Sequence, residues 1–221
     1  MGDPFVRNDP DQGVGSLTKR LFDVVFSFVS LLVLSPLMLL IALLMKLSSP
    51  GPVLYTGTRI GQFGKPFRLL KFRTMVINAD KIGGPSTADD DPRVTRVGRV
   101  LRRYKLDEIP QLINVLKGEM SFVGPRPEVS AEVELYSREQ RQLLEVVPGI
   151  TDWASMRFHN EGEILKGSPD PHQTYREKIR PEKIRLGLEY VQKRSFEVDM
   201  QILIGTLGLL VKTRAKSHAT E

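Results

Sequence analysis

The chain contains no cysteine, which removes disulfides, zinc-thiolate sites and cysteine nucleophiles at once. Histidine is scarce. Its three copies, His159, His172 and His218, are too scattered to suggest a histidine cage. A metal would therefore be a hard cation held by carboxylate and phosphate oxygens, with magnesium the first candidate. No internal repeat is visible, and no small-residue cleavage site follows the apolar run near the N-terminus, as a secretory signal would require. At 221 residues the chain suits one domain, or one domain with a membrane element.

Acids are missing from one stretch in particular. The segment from Arg93 to Lys105 holds six basic residues and no acid, while the remaining 26 basic residues meet 26 acids, so the net charge of +6 sits there. Such a stripe suits phosphate-bearing partners: nucleic acid, anionic lipid head groups or a nucleotide sugar. A solvated helix face would read the same way.

Charge is also missing from the 22 residues Val24 to Met45, long enough to cross a bilayer of about 30 Å. Ser35-Pro36 interrupts this run, since proline removes a backbone donor and clashes with the preceding turn. A serine beside it can bond back to a carbonyl and add to the bend. The two halves would measure about 18 and 15 Å, each half a bilayer. Lys19 and Arg20 precede the run and Lys46 follows it, and basic flanks prefer the cytoplasmic side. A re-entrant helix and a kinked spanning helix both meet these facts.

Residues 1–16 read as a disordered tail, rich in Asp, Pro, Gly and Asn. Residues 17–47 form the membrane element and residues 48–213 the catalytic domain, followed by a tail at 214–221. Val53 to Tyr55 and Phe67 to Phe72 read as a small β-hairpin. The intervening Gly61 to Lys65 lacks the spacing of a phosphate loop. Residues 78–92 are a polar loop, and positions 93, 96, 99, 102 and 103 put arginines on one helical face. Gly118 stops the next helix, and Gly124-Pro125-Arg126-Pro127 forms a rigid turn. Helices are expected over 128–146 and 172–194. Residues 196–211 form an amphipathic segment that can lie on a membrane or pack as a core helix. The fold expected is mainly α with a small β-hairpin, a monotopic membrane protein with one re-entrant helix and amphipathic surface helices.

Asp107-Glu108 is the acidic pair beside the arginine run. Adjacent carboxylates point in different directions, so one can attack or bind metal while the other orients or shuttles a proton. Nearby guanidinium groups favour the aspartate anion. Arg126, between two prolines, offers a pre-oriented fork for phosphate oxygens. Lys71 and Arg73 alternate along a strand and could meet a diphosphate. The bland alternatives are a surface acidic pair balancing the arginines, a structural turn with Arg126 in solvent, and a solvated strand face for Lys71 and Arg73.

Taken in order, Lys19-Arg20-Leu21-Phe22-Asp23, Ser35-Pro36, Lys71-Phe72-Arg73-Thr74-Met75, Leu106-Asp107-Glu108-Ile109-Pro110-Gln111-Leu112, Asn114-Val115-Leu116-Lys117-Gly118-Glu119-Met120-Ser121, Gly124-Pro125-Arg126-Pro127 and Pro148-Gly149-Ile150-Thr151 resemble the bacterial sugar transferase family of monotopic phosphoglycosyl transferases. The resemblance runs from about residue 17 to 211. It implies a UDP-sugar donor, an undecaprenyl phosphate acceptor, and UMP and a polyprenyl diphosphosugar as products. It implies Asp107 as nucleophile and metal contact, Glu108 as the assisting carboxylate, Mg2+ as cofactor, and phosphate contacts from Arg126, Arg102, Lys71 and Arg73. It favours the re-entrant helix bent at Ser35 and Pro36, seated in the inner leaflet at the cytoplasmic face of the bacterial inner membrane. Asp199 falls where the family carries an aspartate of structural role.

The extra N-terminal spans of larger members are expected to be lacking, and a homodimer is left open. After Thr151 many members continue Gly-Leu-Ala-Gln-Val-Asn-Gly-Arg, whereas this chain reads Asp152-Trp153-Ala154-Ser155-Met156-Arg157-Phe158-His159-Asn160-Glu161, so the sugar does not carry over. The rival readings are a membrane-attached nucleotide-sugar hydrolase and a basic membrane-tethered nucleic-acid binder. The scarcity of aromatics near the arginines speaks against single-strand stacking, and no nucleic-acid partner is expected.

Overall fold

The computed structural model describes residues 12–84 and 86–218, the side chains of 12–16, 80 and 210–218 aside. Helix α1, Gln12–Ser48, carries Pro36 in its interior. Ser35 Oγ donates to Leu32 O at 2.8 Å, the back-bond expected of a serine beside the break. The helix starts five residues inside the segment read as a tail, and residues 1–11 lie outside the described ones.

Strands β1, Leu54–Ile60, and β2, Pro66–Phe72, pair antiparallel, with Leu54 opposite Phe72 and Ile60 opposite Pro66. Phe63 and Gly64 close the hairpin with positive φ of 55° and 74°, so the Gly61–Lys65 stretch is a turn. Short helix α2, Ala79–Ile82, sits in the polar loop. Helix α3, Arg96–Arg103, begins at Thr95, whose hydroxyl accepts from Gly98 N at 2.9 Å. Arg93 stands before this helix and is buried, paired with Asp91 and donating to the carbonyls of Ala79 and Gly84. The arginines thus do not share one helical face: the first of them pins the loop instead.

A single turn at Leu106–Glu108 leads to α4, Gln111–Lys117, which stops at Gly118 with φ 84°. Buried Asn114 fastens α4 to the open edge of β2, accepting from Leu70 N at 3.0 Å and donating to Arg68 O at 2.7 Å. Strand β3, Ser121–Val123, pairs in parallel with β4, Gly149–Thr151. This pair is absent from the sequence reading. Between them lie α5, Ser130–Glu134, and a tight turn at Gln140–Glu145. The single helix expected over 128–146 is broken because Ser137 and Gln140 bond each other's backbone and start a new turn.

Helices α6, Trp153–Arg157, α7, Glu161–Leu165, and α8, Pro171–Thr174, follow. A wide turn at Tyr175–Ile179 joins α8 to α9, Arg180–Lys193, and loosens the chain just before Pro181, which has no N–H to offer. Helix α10 runs Phe196–His218, past the end expected at 211.

Two apolar clusters seat these parts. Ile41 and Met45 of α1 pack with Phe72 and Leu101, and Ile202 of α10 packs with Val123 and Tyr190. The other side of α10 presents exposed Ile204 and Leu207, so it is a core helix with an apolar outer face. Most of α1 is uncovered: Phe28, Leu32, Val33, Leu39 and Leu43 all face outward. Residues Leu17–Ser48 are long and apolar enough to cross a membrane, and so large an exposed apolar surface suits a membrane rather than water.

Both ends of α1 are held by the same globular unit. Near the start, Arg20 donates to Val115 O at 2.7 Å and to Leu116 O at 2.8 Å, carbonyls in the last turn of α4. Lys19 pairs with Asp199, Asp23 accepts from Phe122 N at 3.1 Å, and Tyr190 Oη donates to Asp199 at 2.8 Å. Asp199 therefore has the structural role expected of it. Lys19 and Arg20, read only as flanking charges, are docking side chains.

Candidate active site

The acidic pair sits where three elements meet. Lys105 adopts a left-handed conformation, φ 56°, which reverses the chain at the end of α3 and opens the turn carrying Asp107 and Glu108. Leu106 and Ile109 anchor the turn against the Phe72 and Leu101 cluster. Strand β2 brings Lys71, and the turn after β3 brings Arg126. That turn is held by Gly124 N donating to Thr151 O and Gly149 N donating to Pro125 O, each at 3.0 Å. A Cβ on Gly124 would meet the Val147 carbonyl oxygen, and one on Gly149 the Gly124 backbone, so both positions require glycine.

The two carboxylates are in different states. Glu108 is fully engaged. Lys71 Nζ donates to its Oε1 at 2.9 Å, and Arg126 grips both oxygens, Nη1 reaching Oε2 at 3.3 Å and Nη2 reaching Oε1. Burial alone would raise its pKa, but the charges of Arg126 and Lys71 outweigh it and hold Glu108 well below the usual carboxylate range. The same pairing pushes Arg126 further up, while burial pulls Lys71 down.

Asp107 is only 6% exposed, and its Oδ1 is buried with no hydrogen-bond partner. Burial, then the charge of Glu108, raises its pKa above the ordinary 3.8, against the pull of Lys71, Arg102 and Lys105. Arg102 favours the anion as expected, but burial and Glu108 outweigh it. Arg102, whose charge reaches Asp107, also buries an unpartnered Nη1. A buried carboxylate oxygen and a buried guanidinium nitrogen without partners are costly in an apolar wall and inexpensive once a phosphate or cation meets them.

Lys71, Arg102, Asp107, Glu108 and Arg126 thus converge. Arg73 does not join them. It donates to Pro50 O at 2.6 Å and to Ser49 Oγ at 2.9 Å, closing the exit of α1. Lys105 was missed in the sequence, and no local signal marks its left-handed backbone. Among the described residues no group of three or more His, Asp or Glu side chains is placed to hold a metal ion. A hard cation here would take one protein ligand from Asp107 and the rest from a phosphate and water, which the free Oδ1 fits.

Such a site, set beside an exposed apolar helix, suits phosphate-bearing ligands. The chain matches the bacterial sugar transferase family over residues 14–213 and belongs to it. It is 43% identical to the UDP-glucose:undecaprenyl-phosphate glucose-1-phosphate transferase of Escherichia coli (strain K12), an alignment covering 90% of this chain and 41% of that protein. The chain thus spans about two fifths of that relative's length. The protein of the same description from Caulobacter vibrioides is 40% identical, covering 89% of this chain and 71% of the relative. The exopolysaccharide production protein ExoY of Sinorhizobium fredii is 44% identical, over 91% and 88% respectively.

Proposed function

We propose that this chain transfers a sugar 1-phosphate from a UDP-sugar to undecaprenyl phosphate and releases UMP, with Asp107 as the nucleophile. The observation that carries the reading is the division within the acidic pair. Glu108 is consumed by Lys71 and Arg126, while Asp107 keeps a buried oxygen with nothing to bond. In the first step that oxygen attacks the phosphorus bearing the sugar, the bond to the bridging oxygen breaks, and UMP leaves. In the second, an oxygen of the acceptor phosphate attacks the same phosphorus and frees Asp107. Lys71, Arg102 and Arg126 line the approach as cations, and Glu108 fixes the direction of two of them. The test is UMP release by the purified chain from a panel of UDP-sugars. Without polyprenyl phosphate, release is expected to stop at about one UMP per enzyme, and to continue only when the acceptor is added; sustained turnover without it would indicate a hydrolase.

A bound Mg2+ would neutralise charge on the diphosphate and its leaving group. Chelation with EDTA is expected to abolish UMP release and added magnesium to restore it. Full activity in chelator would assign the charge balance to Lys71, Arg102 and Arg126 alone.

The docking of α1 supports a re-entrant helix. A spanning helix separates its ends by about 30 Å of hydrocarbon, yet Arg20 near one end and Met45 near the other are both held by one globular unit. That unit would lie on the cytoplasmic leaflet, where UDP-sugars are made. A Gly2→Cys reporter in intact cells is expected to resist an impermeant maleimide, and to react once Ser35→Ala and Pro36→Leu straighten the helix. Labelling of the unaltered helix would mean that it spans.

A further inference from the structure

Arg126 has a second side. It also borders a narrow, open cleft whose walls carry Glu128, Asp152, Ser155, Tyr175 and Lys183. The wall alternates acceptors and donors. Asp152 is 3% exposed and accepts from Ser155 N at 2.6 Å, which starts α6. Glu128 accepts from Tyr175 Oη at 3.1 Å, and the Lys183 ammonium lies 5.0 Å from the Tyr175 ring centre. Burial pushes both carboxylates up, against the charges of Arg126 and Lys183.

Resting on the function proposed above, we propose that this cleft is the sugar subsite, and that Asp152 and Glu128 select the UDP-sugar by accepting hydrogen bonds from its ring hydroxyls. Each hydroxyl both donates and accepts, so a polyol matches a wall of mixed carboxylates and cations. Arg126 borders the cleft, its charge reaches Asp152, and its guanidinium grips Glu108, the chain neighbour of Asp107, so a sugar in the cleft would carry its phosphate toward the same arginine.

The variants Asp152→Asn and Glu128→Gln retain an oxygen for Ser155 N and for Tyr175 Oη, so the fold is kept. Their kcat/KM is measured across UDP-sugars differing by one hydroxyl or one acetamido group, with UDP as competitor. For the best donor kcat/KM is expected to fall about 10- to 100-fold, the scale of one hydrogen bond to a charged group. Discrimination against its epimers should shrink in step, with UDP inhibition changed less than about twofold. An equal loss across the panel, no loss, or parallel weakening of UDP would each overturn the subsite. Failure of the unmutated chain to release UMP from any donor is a different result, and would overturn the transfer reaction together with the subsite.

Discussion

Replacing Asp107 with asparagine is expected to lower turnover by at least about 10³-fold while leaving the fold intact. The size follows from the loss of an attacking group, which neighbouring residues do not replace. The fold survives because the substitution keeps the shape and removes a buried charge whose Oδ1 has no partner. With the aspartate pKa raised, the folded state gains from protonation there, so a neutral asparagine should hold or raise the melting temperature. The sign of the pH dependence follows too. The anion attacks, so kcat/KM of the parent should climb with pH through a value above the ordinary 3.8. Donor labelled in its sugar, given without acceptor, should leave label on the parent and none on Asp107→Asn. Near-normal turnover in a clean Asp107→Asn preparation, or an obligatory ternary complex in initial-rate data, would remove Asp107 from the role of nucleophile.

How much of this was legible in the chain depends on how locally each feature is determined. The apolar run and the hairpin turn are set by residues next to one another, and they stand where the pattern puts them, with Pro36 inside one helix, Gln12–Ser48. Asp107-Glu108 was conspicuous as a pair, but which acid stays free was not readable. That is decided by Lys71 and Arg126, which arrive from 37 and 18 residues away. The parallel pairing of β3 with β4 joins two three-residue strands, too short for any alternation to register. Arg93 looked like part of a helical stripe because spacing carries no information on burial. Its pairing with Asp91 and the loop carbonyls took it out of that face. The basic residues before the apolar run were read by charge alone, whereas Arg20 owes its place to two carbonyls in the last turn of α4.

Glu108→Gln should weaken stability and activity together, through its two partners. Glu108 balances two cations, Lys71 and Arg126, and all three side chains are largely shielded. Removing one member of a buried pair costs about 3–5 kcal/mol. Arg126 keeps a third of its side chain in contact with water, so about 2–3 kcal/mol is the fairer expectation here. The amide can accept only through one oxygen and places an N–H against one of the cations. The parent also predicts a pH signature. Its folded pKa is held below the ordinary 4.5, so its contribution to stability is complete above that value and fades as pH falls toward the folded pKa. The variant lacks this acid-side loss, so the two melting curves should converge as pH falls through the folded pKa and separate at neutral pH. Lys71→Met removes one of the freed charges, and the double variant should be less damaged than the sum of its parts, the mark of a shared contact. Turnover should fall with the stability, since Arg126 no longer points to a fixed place. A Glu108→Gln protein with parental melting temperature at neutral pH and parental kcat/KM would mean that Lys71 and Arg126 are held by something other than this carboxylate.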